Sequence, residues 1–281
     1  MSMGIRADLH LHTKHSDGFL TSAELLQRAK AVGLSIVSVV DHDTVAGIDE
    51  CTAIGAELGI EVIPGVEMST VVAEREVHIL GYFVDRTNAT LLEYLQFFRM
   101  ERLKRAERIV EKLNHIKVPL TIESVLERAG KGSVGRPHIA SALVDEGLIG
   151  DYHEAFDRYI GVGKPAYERK FQLAPPDAIK LISTSGGLSF LAHPGRSTPE
   201  SAVTELIKAG LDGIEVVHPS HSPELTTHYK AVVNEYYLLE SGGSDFHGGK
   251  RNDDAALGAY YVDDERVHAM KRRLFTTRSS Q

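Results

Sequence analysis

The stretch Asp8-Leu9-His10-Leu11-His12, near the start of the sequence, alternates polar and apolar side chains. In an extended strand, residues two apart point to the same face, so Asp8, His10 and His12 would lie on one face and the two leucines on the other. Two imidazole rings on one face can bind one metal ion. The stretch therefore predicts a β-strand that carries part of a metal site.

The sequence after this strand repeats one arrangement, in which an apolar strand ends in polar residues and is followed by a helix. Thr21 and Glu24 have the spacing of a capping box, which predicts the start of the first helix. Most of the polar residues fall at the C-terminal ends of the strands, where α/β barrels build their active sites. The sequence therefore predicts an α/β barrel. Its predicted strands cover residues 5–11, 35–40, 61–66, 77–84, 188–192, 213–217, 236–241 and 257–262.

The alternation of strands and helices is interrupted after Asp85. A long helical pattern runs over Ala89–His115, and several shorter helical patterns follow it. We interpret residues 86–170 as a small helical lobe that is inserted into the barrel and covers its active site. The barrel itself would then be formed by residues 1–85 and 171–281.

Histidines and carboxylates dominate the polar residues at the strand ends. A single histidine in a strand is more often a packed or surface residue than a ligand. Here a His-x-His pair, an Asp-His pair and an Asp-x-His sequence all fall at the predicted rim, which favours metal binding. Such mixed donor sets suit Zn, Mn or Fe. The candidate residues are His10, His12, Asp17, Asp41, His42, Glu67, His78, His193, Asp245 and His247.

The composition argues against several classes of protein. The formal net charge is −8, whereas a protein that binds duplex nucleic acid needs a basic surface. The sequence has no recognisable signal segment and no long apolar run, and its single cysteine, Cys51, cannot form an internal disulfide. We therefore expect a cytoplasmic protein without membrane contact, whose metal ions would allow a small anionic substrate to bind.

Motifs along the whole chain resemble those of the polymerase-and-histidinol-phosphatase (PHP) family of metal-dependent phosphoesterases. They are DLHLHT with SDG, then VDHDT, GVEMS, HILGYFVD, GRPHIA, LAHPGR and GGSDFH. The GRPHIA segment and the helical insertion are most similar to the branch that contains nucleoside 3′,5′-bisphosphate phosphatases and RNase AM-like 5′→3′ exonucleases. The resemblance implies a distorted (β/α)7 PHP barrel with a trinuclear metal site.

The resemblance also implies how the ligands are divided among the ions. The implied sets are His10, His12, Glu67 and Asp245 for the first ion, Glu67, His78 and His193 for the second, and Asp17, His42 and His247 for the third. Two or three divalent ions are therefore expected, with Mn preferred and Zn, Fe or Mg as alternatives. We expect Asp8 and Asp41 to lie behind the ligands, where a carboxylate can orient a ligating imidazole.

Cationic side chains of the lobe and of a neighbouring loop are candidates for binding a substrate phosphate. Arg136 and His138 follow a glycine-containing loop at the predicted start of a helix, where free backbone N–H groups favour an anion. Lys164 and Arg196 are further candidates, because an ammonium or a guanidinium group can pair with phosphate. Arg196 is also a candidate catalytic residue, because it follows the strand-end His193 closely.

Two other features have competing interpretations. His221, three residues after the strand-end His218, could donate a proton to the leaving oxygen, or it could be an ordinary loop histidine. The run Arg99–Lys112 is rich in basic residues and could bind nucleic acid. Its interleaved glutamates, such as Glu101 four residues before Arg105, instead predict a solvated helix face.

Together these features predict a hydrolase. The resemblance implies a metal-dependent phosphatase or phosphodiesterase that converts nucleoside 3′,5′-bisphosphates, such as the adenosine compound, to nucleoside 5′-monophosphates. Short 5′-phosphorylated RNA, degraded in the 5′→3′ direction, is expected as a second substrate. One alternative is a phosphatase of histidinol phosphate or another small phosphomonoester, and another is a catalytically silent metal-binding interaction module. The sequence indicates no obligate protein partner.

Overall fold

The computed structural model describes residues 4–72, 75–130, 132–169, 171, 173–196, 198–249 and 251–278. These residues build one eight-stranded sheet that curves into a nearly closed barrel. The strands are β1 (Arg6–Leu11), β2 (Ile36–Val39), β3 (Glu61–Val72), β4 (Arg75–Tyr82), β5 (Leu188–Leu191), β6 (Gly213–Val217), β7 (Leu239–Gly242) and β8 (Val262–Asp263).

The strand order shows why the barrel is distorted. The order is β7-β6-β5-β4-β3-β2-β1-β8. β4 runs antiparallel to both β3 and β5, and β8 runs antiparallel to β1, whereas the other neighbours are parallel. The barrel closes where Gly243, directly after β7, lies against His10 of β1. The two backbones are so close that a Cβ atom added at Gly243 would come within 2.5 Å of His10 N. The predicted α/β class and the distorted barrel are confirmed.

Two groups of helices surround the sheet. The barrel helices are α1 (Ser22–Ala31), α2 (Ile48–Leu58), α7 (Pro175–Thr184), α8 (Glu200–Lys208), α9 (Pro223–Glu235) and α10 (Asp264–Arg278). The lobe contains α3 (Ala89–His115), α4 (Ile122–Ala129), α5 (Arg136–Asp145), α6 (Tyr152–Ala155) and a π-helical segment, Phe156–Ile160. The predicted capping box is present, since Thr21 N donates to Glu24 Oε2 at 2.8 Å and the Thr21 hydroxyl accepts from Glu24 N.

The lobe has an apolar core of its own. Ile109 and Leu113 of α3 pack in one cluster with Val125 of α4 and Ile139 of α5, and all four side chains are buried. Burial of apolar surface is the dominant favourable contribution to folding, so this cluster stabilises the lobe by itself. A separate core supports our interpretation of residues 86–170 as an inserted unit, and the exact boundaries stay a prediction.

Two predicted strands differ most from the observed ones. The strand predicted over residues 61–66 continues to Val72, because it pairs with β4 in a long antiparallel hairpin that extends beyond the barrel. The strand predicted over residues 257–262 is reduced to Val262–Asp263. Gly258 has a φ of +78°, and this left-handed conformation interrupts the extended chain before β8.

Candidate metal centre

The side chains predicted as the first ligand set converge at one rim of the barrel. The Nε2 atoms of His10, on β1, and of His12, directly after β1, lie between 3.1 and 3.3 Å from both Glu67 Oε2 and Asp245 Oδ1. Glu67 comes from β3, and Asp245 follows β7. Residues that are far apart in the sequence therefore bring their donor atoms to one point, as the barrel topology requires.

The remaining predicted ligands form two further groups around the first. Glu67 Oε1 lies 2.8 Å from His78 Nδ1 and 3.1 Å from His193 Nε2, so Glu67 is shared between two groups. On the other side, Asp17 Oδ1 lies 3.4 Å from His247 Nε2, and Asp17 Oδ2 lies 3.9 Å from His42 Nε2. The donor atoms of His12, Asp17, His42 and His247 all lie within 4.8 Å of one another.

Unusual backbone conformations turn two of these side chains toward the rim. His193 has a φ of +27° and Asp245 a φ of +51°, although neither is glycine. Such conformations cost roughly 1–3 kcal/mol each and persist only where the surrounding structure enforces them. Both residues come directly after barrel strands, at the positions where the chain leaves the sheet.

The donor atoms fit bound metal ions better than a hydrogen-bonded network. Among the described residues, both ring nitrogens of His12 and His78, Nδ1 of His42 and Nε2 of His247 are buried without a hydrogen-bond partner. Carboxylate oxygens lie 2.8–3.4 Å from His12 Nε2, His42 Nδ1, His78 Nδ1 and His247 Nε2, but they do not meet these nitrogens in hydrogen-bond geometry. Buried polar atoms are normally satisfied, so these nitrogens indicate a missing partner. Imidazole and carboxylate donors suit divalent Mn, Zn or Fe.

Burial and mutual attraction shift the pKa values of the centre. Burial by itself raises the pKa of Glu67, but the imidazoles of His42, His78 and His10 outweigh it and hold this pKa well below its usual value. Burial lowers the pKa of His42 to about 3, so its ring is neutral and has a free lone pair. Asp245 also has a pKa well below its usual value, because neighbouring histidines outweigh the effect of burial. His12 shifts the other way, because Asp245 and Glu67 outweigh burial and raise its pKa to about 10, so a metal ion would have to displace a proton from this ring.

Glu215, on β6, supports two ligands and was missed by the sequence analysis. Its Oε1 lies 2.9 Å from His10 Nδ1, and its Oε2 accepts a hydrogen bond from His193 N at 2.7 Å. The carboxylate therefore holds the proton of His10 on Nδ1 and leaves Nε2 free for a metal ion. The available signal was a carboxylate in the middle of an apolar strand, a position where a charge needs a partner.

Asp8 and Asp41 are buried behind the candidate ligands, but their contacts differ from the predicted ones. Asp8 Oδ1 accepts hydrogen bonds from His10 N at 3.2 Å and from Ser244 N at 3.0 Å. Asp41 accepts from Thr13 N at 2.8 Å and from the hydroxyl of Ser16 at 2.5 Å. Both carboxylates thus hold backbone and hydroxyl groups rather than imidazole rings, because buried donors at the rim need acceptors.

The hydrogen bonds of His221 contradict its predicted role as a proton donor. Its Nδ1 lies 2.9 Å from Val216 O, and its Nε2 accepts from Gly195 N at 3.1 Å, so the ring is neutral and its remaining lone pair is occupied. His218 is arranged in the opposite way. Its Nδ1 accepts from Ser220 N at 3.0 Å, which leaves the proton on Nε2, and this atom lies 3.5 Å from Asp245 Oδ2. His218 is therefore the ring that presents an N–H group to the centre.

Two predicted phosphate-binding residues lie at the start of α5, beside the rim. Arg136 lies 3.4 Å from Glu76, which precedes His78 by two residues, and its guanidinium carbon lies 5.9 Å from the centre of the Phe156 ring. His138 Nδ1 accepts from Gly135 N at 3.0 Å, and burial lowers its pKa. A helix start with an arginine therefore lies close to the metal ligands of β4.

The other two predicted phosphate-binding residues are less closely placed. Lys164 is exposed on a turn of the lobe. Arg196 is also exposed and lines a smaller cavity, of about 360 Å³, between α8 and α9. Within the described ranges, neither side chain makes a hydrogen bond or an ion pair. Their contact with substrate stays a prediction.

Arg102 contradicts the prediction that the basic face of α3 is solvated throughout. Its Nε donates to Asp43 Oδ2 at 2.9 Å, and its Nη2 donates to the hydroxyl of Ser69 at 3.0 Å. The side chain is 12% exposed and that of Asp43 is fully buried. Exposed Lys104 and Arg108, on the same helix, follow the prediction. Arg102 differs because the long β3–β4 hairpin and the rim loop meet the helix at its position.

Comparison with known proteins agrees with this geometry. The family model described as the PHP domain matches residues 8–161, which is more than half of the chain. The chain belongs to the PHP domain family. As a member of this family it is a metal-dependent phosphoesterase, and therefore a hydrolase, which confirms the resemblance and the enzyme class inferred from the sequence.

Individual relatives agree with the family assignment. A 5′-3′ exoribonuclease of Haemophilus influenzae is 38% identical, over 85% of this chain and 89% of its own length. A 3′,5′-nucleoside bisphosphate phosphatase of Chromobacterium violaceum is 32% identical, over 85% of this chain and 86% of its own. The structure of a candidate metal-dependent phosphoesterase from Bifidobacterium adolescentis superposes with a TM-score of 0.88 and 32% identity, over 95% of this chain and 96% of that one.

Among the described residues, no helix has both the length and the apolar character that are needed to cross a membrane.

Proposed function

We propose that this phosphoesterase hydrolyses the 3′-phosphoester of nucleoside 3′,5′-bisphosphates and releases nucleoside 5′-monophosphates. One observation carries the proposal: the metal-ligand cluster lies beside the start of α5, so one substrate can offer a phosphate to the metal ions and a second phosphate to the lobe. Ser133 N, just before α5, donates to His15 O at 3.2 Å, which fixes the helix start against the loop that contains Asp17. The bisphosphate phosphatase among the relatives supports this substrate class.

The same arrangement suits short RNA that carries a 5′-phosphate. Cutting after the first nucleotide breaks the same bond between phosphorus and the 3′-oxygen, and the only difference is that the phosphate also carries the rest of the RNA chain, which keeps it as a new 5′-phosphate. The exoribonuclease among the relatives supports this second substrate. We propose that both reactions use the same residues and the same ions.

We propose that the centre binds two or three divalent ions, with Mn²⁺ as the preferred ion and Zn, Fe or Mg as alternatives. The ligand sets would be those of the three observed groups, with Glu67 shared between the first and the second. When bound, such ions supply activated water at neutral pH and neutralise phosphate oxygens. The imidazole-rich donor set favours a transition metal over Mg²⁺, which prefers oxygen ligands.

The protein's own groups orient the substrate. Arg136, at the start of α5, would bind the 5′-phosphate, since a guanidinium group and the positive end of a helix dipole both favour an anion. His218 would donate a hydrogen bond from Nε2 to an oxygen of the phosphate that is being hydrolysed. Glu215 would keep His10 in the tautomer that can ligate a metal.

A substrate comparison tests the proposal. Protein loaded with Mn²⁺ is assayed with adenosine 3′,5′-bisphosphate, with adenosine 3′-monophosphate as the matched control that lacks only the 5′-phosphate, and with histidinol phosphate. We expect kcat/KM to be at least about tenfold higher for the bisphosphate than for the 3′-monophosphate, equivalent to about 1.4 kcal/mol of binding. Arg136→Ala should reduce this ratio toward one. A preference for histidinol phosphate would contradict the proposal and support the alternative phosphatase.

A further inference from the structure

Arg251 pairs with a carboxylate that is itself a candidate metal ligand. Its Nη2 donates to Asp17 Oδ2 at 2.8 Å and to Asp17 O at 3.4 Å. The other carboxylate oxygen, Asp17 Oδ1, faces the third group of ligands, formed by Asp17, His42 and His247, and lies 3.4 Å from His247 Nε2. The side chain of Asp17 is 13% exposed and that of Arg251 is 29% exposed. A partly shielded positive charge therefore lies beside the third group.

The loop after β7 holds Arg251 in this position. The same loop carries His247, so two of its residues meet Asp17. The carboxylate of Asp253 fixes the loop, because it accepts hydrogen bonds from Gly249 N at 2.8 Å and from His247 N at 2.5 Å. The segment that positions a candidate ligand therefore also positions the guanidinium group.

The first two ligand groups have no such cation beside them. Glu67 and Asp245 supply their carboxylates, and the carboxylate of Glu215 lies behind two of their histidines. Within the described part of the chain, none of these three carboxylates forms an ion pair with a lysine or an arginine. The third group has the single carboxylate of Asp17, which Arg251 neutralises. The first two groups are therefore more negative than the third.

This difference in charge affects how tightly each group can bind a divalent ion. Like charges repel over several ångströms, so Arg251 weakens the binding of a cation by the third group only. A bound phosphate has the opposite effect, because its negative charge attracts the ion. Asp17 and Arg251 both line a cavity of about 1050 Å³ between the barrel and the lobe, so an anion can reach this pair. Phosphate and the third ion then strengthen each other's binding.

We propose that Arg251 makes the third ion the most weakly bound ion of the centre, so that this ion binds together with the substrate phosphate. The first two groups hold their ions without substrate. Arg251 is a positioning residue in this proposal, because it acts through Asp17. The inference rests on the metal centre of the proposed function, and it does not depend on which phosphoester is hydrolysed.

Calorimetric titration of the metal-free protein with Mn²⁺ tests the inference without a measurement of activity. Arg251→Met removes the positive charge, whereas Arg251→Lys keeps it. Arg128→Met is the matched control, because Arg128 lines the same cavity and its Nε lies 2.9 Å from the carboxylate of Asp145, which belongs to none of the ligand groups. Each protein is titrated with and without inorganic phosphate, at a concentration that keeps Mn²⁺ in solution. The thermal midpoint of each variant shows whether it remains folded.

The inference predicts a change in the affinity of one ion only. Without phosphate, the wild type should bind its third ion at least about tenfold more weakly than the other two, because only the third group lies beside a fixed cation. Arg251→Lys and Arg128→Met should behave in the same way. In Arg251→Met the third ion should bind about tenfold more tightly than in the wild type, and the first two should keep their affinity. Phosphate should tighten the third ion of the wild type.

Several results would overturn the inference. Three ions of equal affinity in the wild type would show that Arg251 creates no difference between the groups. If folded Arg251→Met bound the third ion no more tightly than the wild type, Arg251 would only support Asp17 as a ligand. If phosphate left the third ion of the wild type unchanged, its binding would not depend on the substrate. A wild type that binds no Mn²⁺ would contradict the proposed metal centre itself, which distinguishes that failure from the others.

Discussion

The barrel rim and the helical lobe face the same centre, but different contacts hold them in place. At the rim, residues such as His10 and Glu67 are buried and lie on or directly after strands whose register is fixed by backbone pairing. The lobe has its own apolar core, and it meets the rim through polar contacts such as that of Arg102 with Asp43. The rim is therefore built for fixed chemistry, and the lobe can vary without disturbing it.

This difference explains how one centre can serve different phosphate esters. The ligand groups determine that a phosphoester is hydrolysed, because their donor atoms are held by several strands at once. In the proposed function, the lobe determines what else the substrate must carry. Variants that change either the rim or the lobe, and leave the other region intact, test this difference.

The largest effect is expected from variants at the rim. Asp245→Asn or His193→Ala removes a metal ligand, so kcat/KM should fall about a thousandfold or more on every substrate, equivalent to about 4 kcal/mol. The fold should be retained, because the lobe core and the strand pairing do not involve these side chains. Kinetics and a thermal unfolding curve measure both quantities. Near-normal activity in either variant would show that the substituted residue is not a ligand of the centre.

The next largest effect separates two neighbouring histidines. His218→Ala should reduce kcat about a hundredfold, a typical result of removing a preorganised hydrogen-bond donor from a reacting phosphate or carbonyl oxygen. His221→Ala should leave kcat nearly unchanged, because both of its ring nitrogens face backbone groups. The two variants should be compared under the same conditions with Mn²⁺ at saturation. If His221→Ala reduced kcat more than His218→Ala, His221 would be the residue that donates a proton to the substrate.

A smaller effect on the rim is expected from Glu215→Gln. The carboxylate accepts from both His10 and the His193 backbone, whereas an amide offers only one acceptor oxygen. Mn²⁺ affinity or activity should fall about tenfold to a hundredfold, the usual range for a residue that orients a ligand. Glu240→Gln, on β7, is the matched control and should bind Mn²⁺ normally. Equal affinities for the two variants would show that Glu215 does not orient His10.

The smallest effect on catalysis is expected from a variant that breaks the contact of Arg102 with Asp43 between the lobe and the rim. Arg102→Met removes the guanidinium group that pairs with the buried carboxylate of Asp43, and breaking a buried pair costs about 3–5 kcal/mol of stability. Arg108→Met, on the same helix, breaks only an exposed pair with Glu168, so about 1 kcal/mol or less should be lost. Urea unfolding measures the difference. Similar losses for both variants would mean that Arg102 does not fix the lobe to the rim.

The sequence predicted the rim better than the lobe contacts for a physical reason. Residues at the predicted C-terminal ends of barrel strands must lie at one rim, so the grouping of His10, Glu67 and Asp245 could be predicted from their positions alone. Glu215 was missed because it lies inside its predicted strand rather than at the predicted end. The outward extension of the β3–β4 hairpin also could not be predicted, because it depends on pairing between two strands and not on the pattern of either.

The roles of individual polar groups depended on contacts that the sequence does not contain. His218 and His221 are three residues apart, yet backbone partners hold them in opposite tautomers. Asp41 was expected to orient an imidazole, and it holds Thr13 and Ser16 instead. Arg102 looked like any other residue of a basic helix face. In each case the deciding partner is a group whose position exists only in the folded chain.

The central claim is that the rim holds a cluster of metal ions, and anomalous diffraction from crystals loaded with Mn²⁺ tests it most directly. We predict two or three anomalous peaks within coordination distance of the observed groups, one of them shared by Glu67 Oε2, His10 and His12, and one shared by Glu67 Oε1, His78 and His193. A single peak, or peaks away from these side chains, would contradict the account.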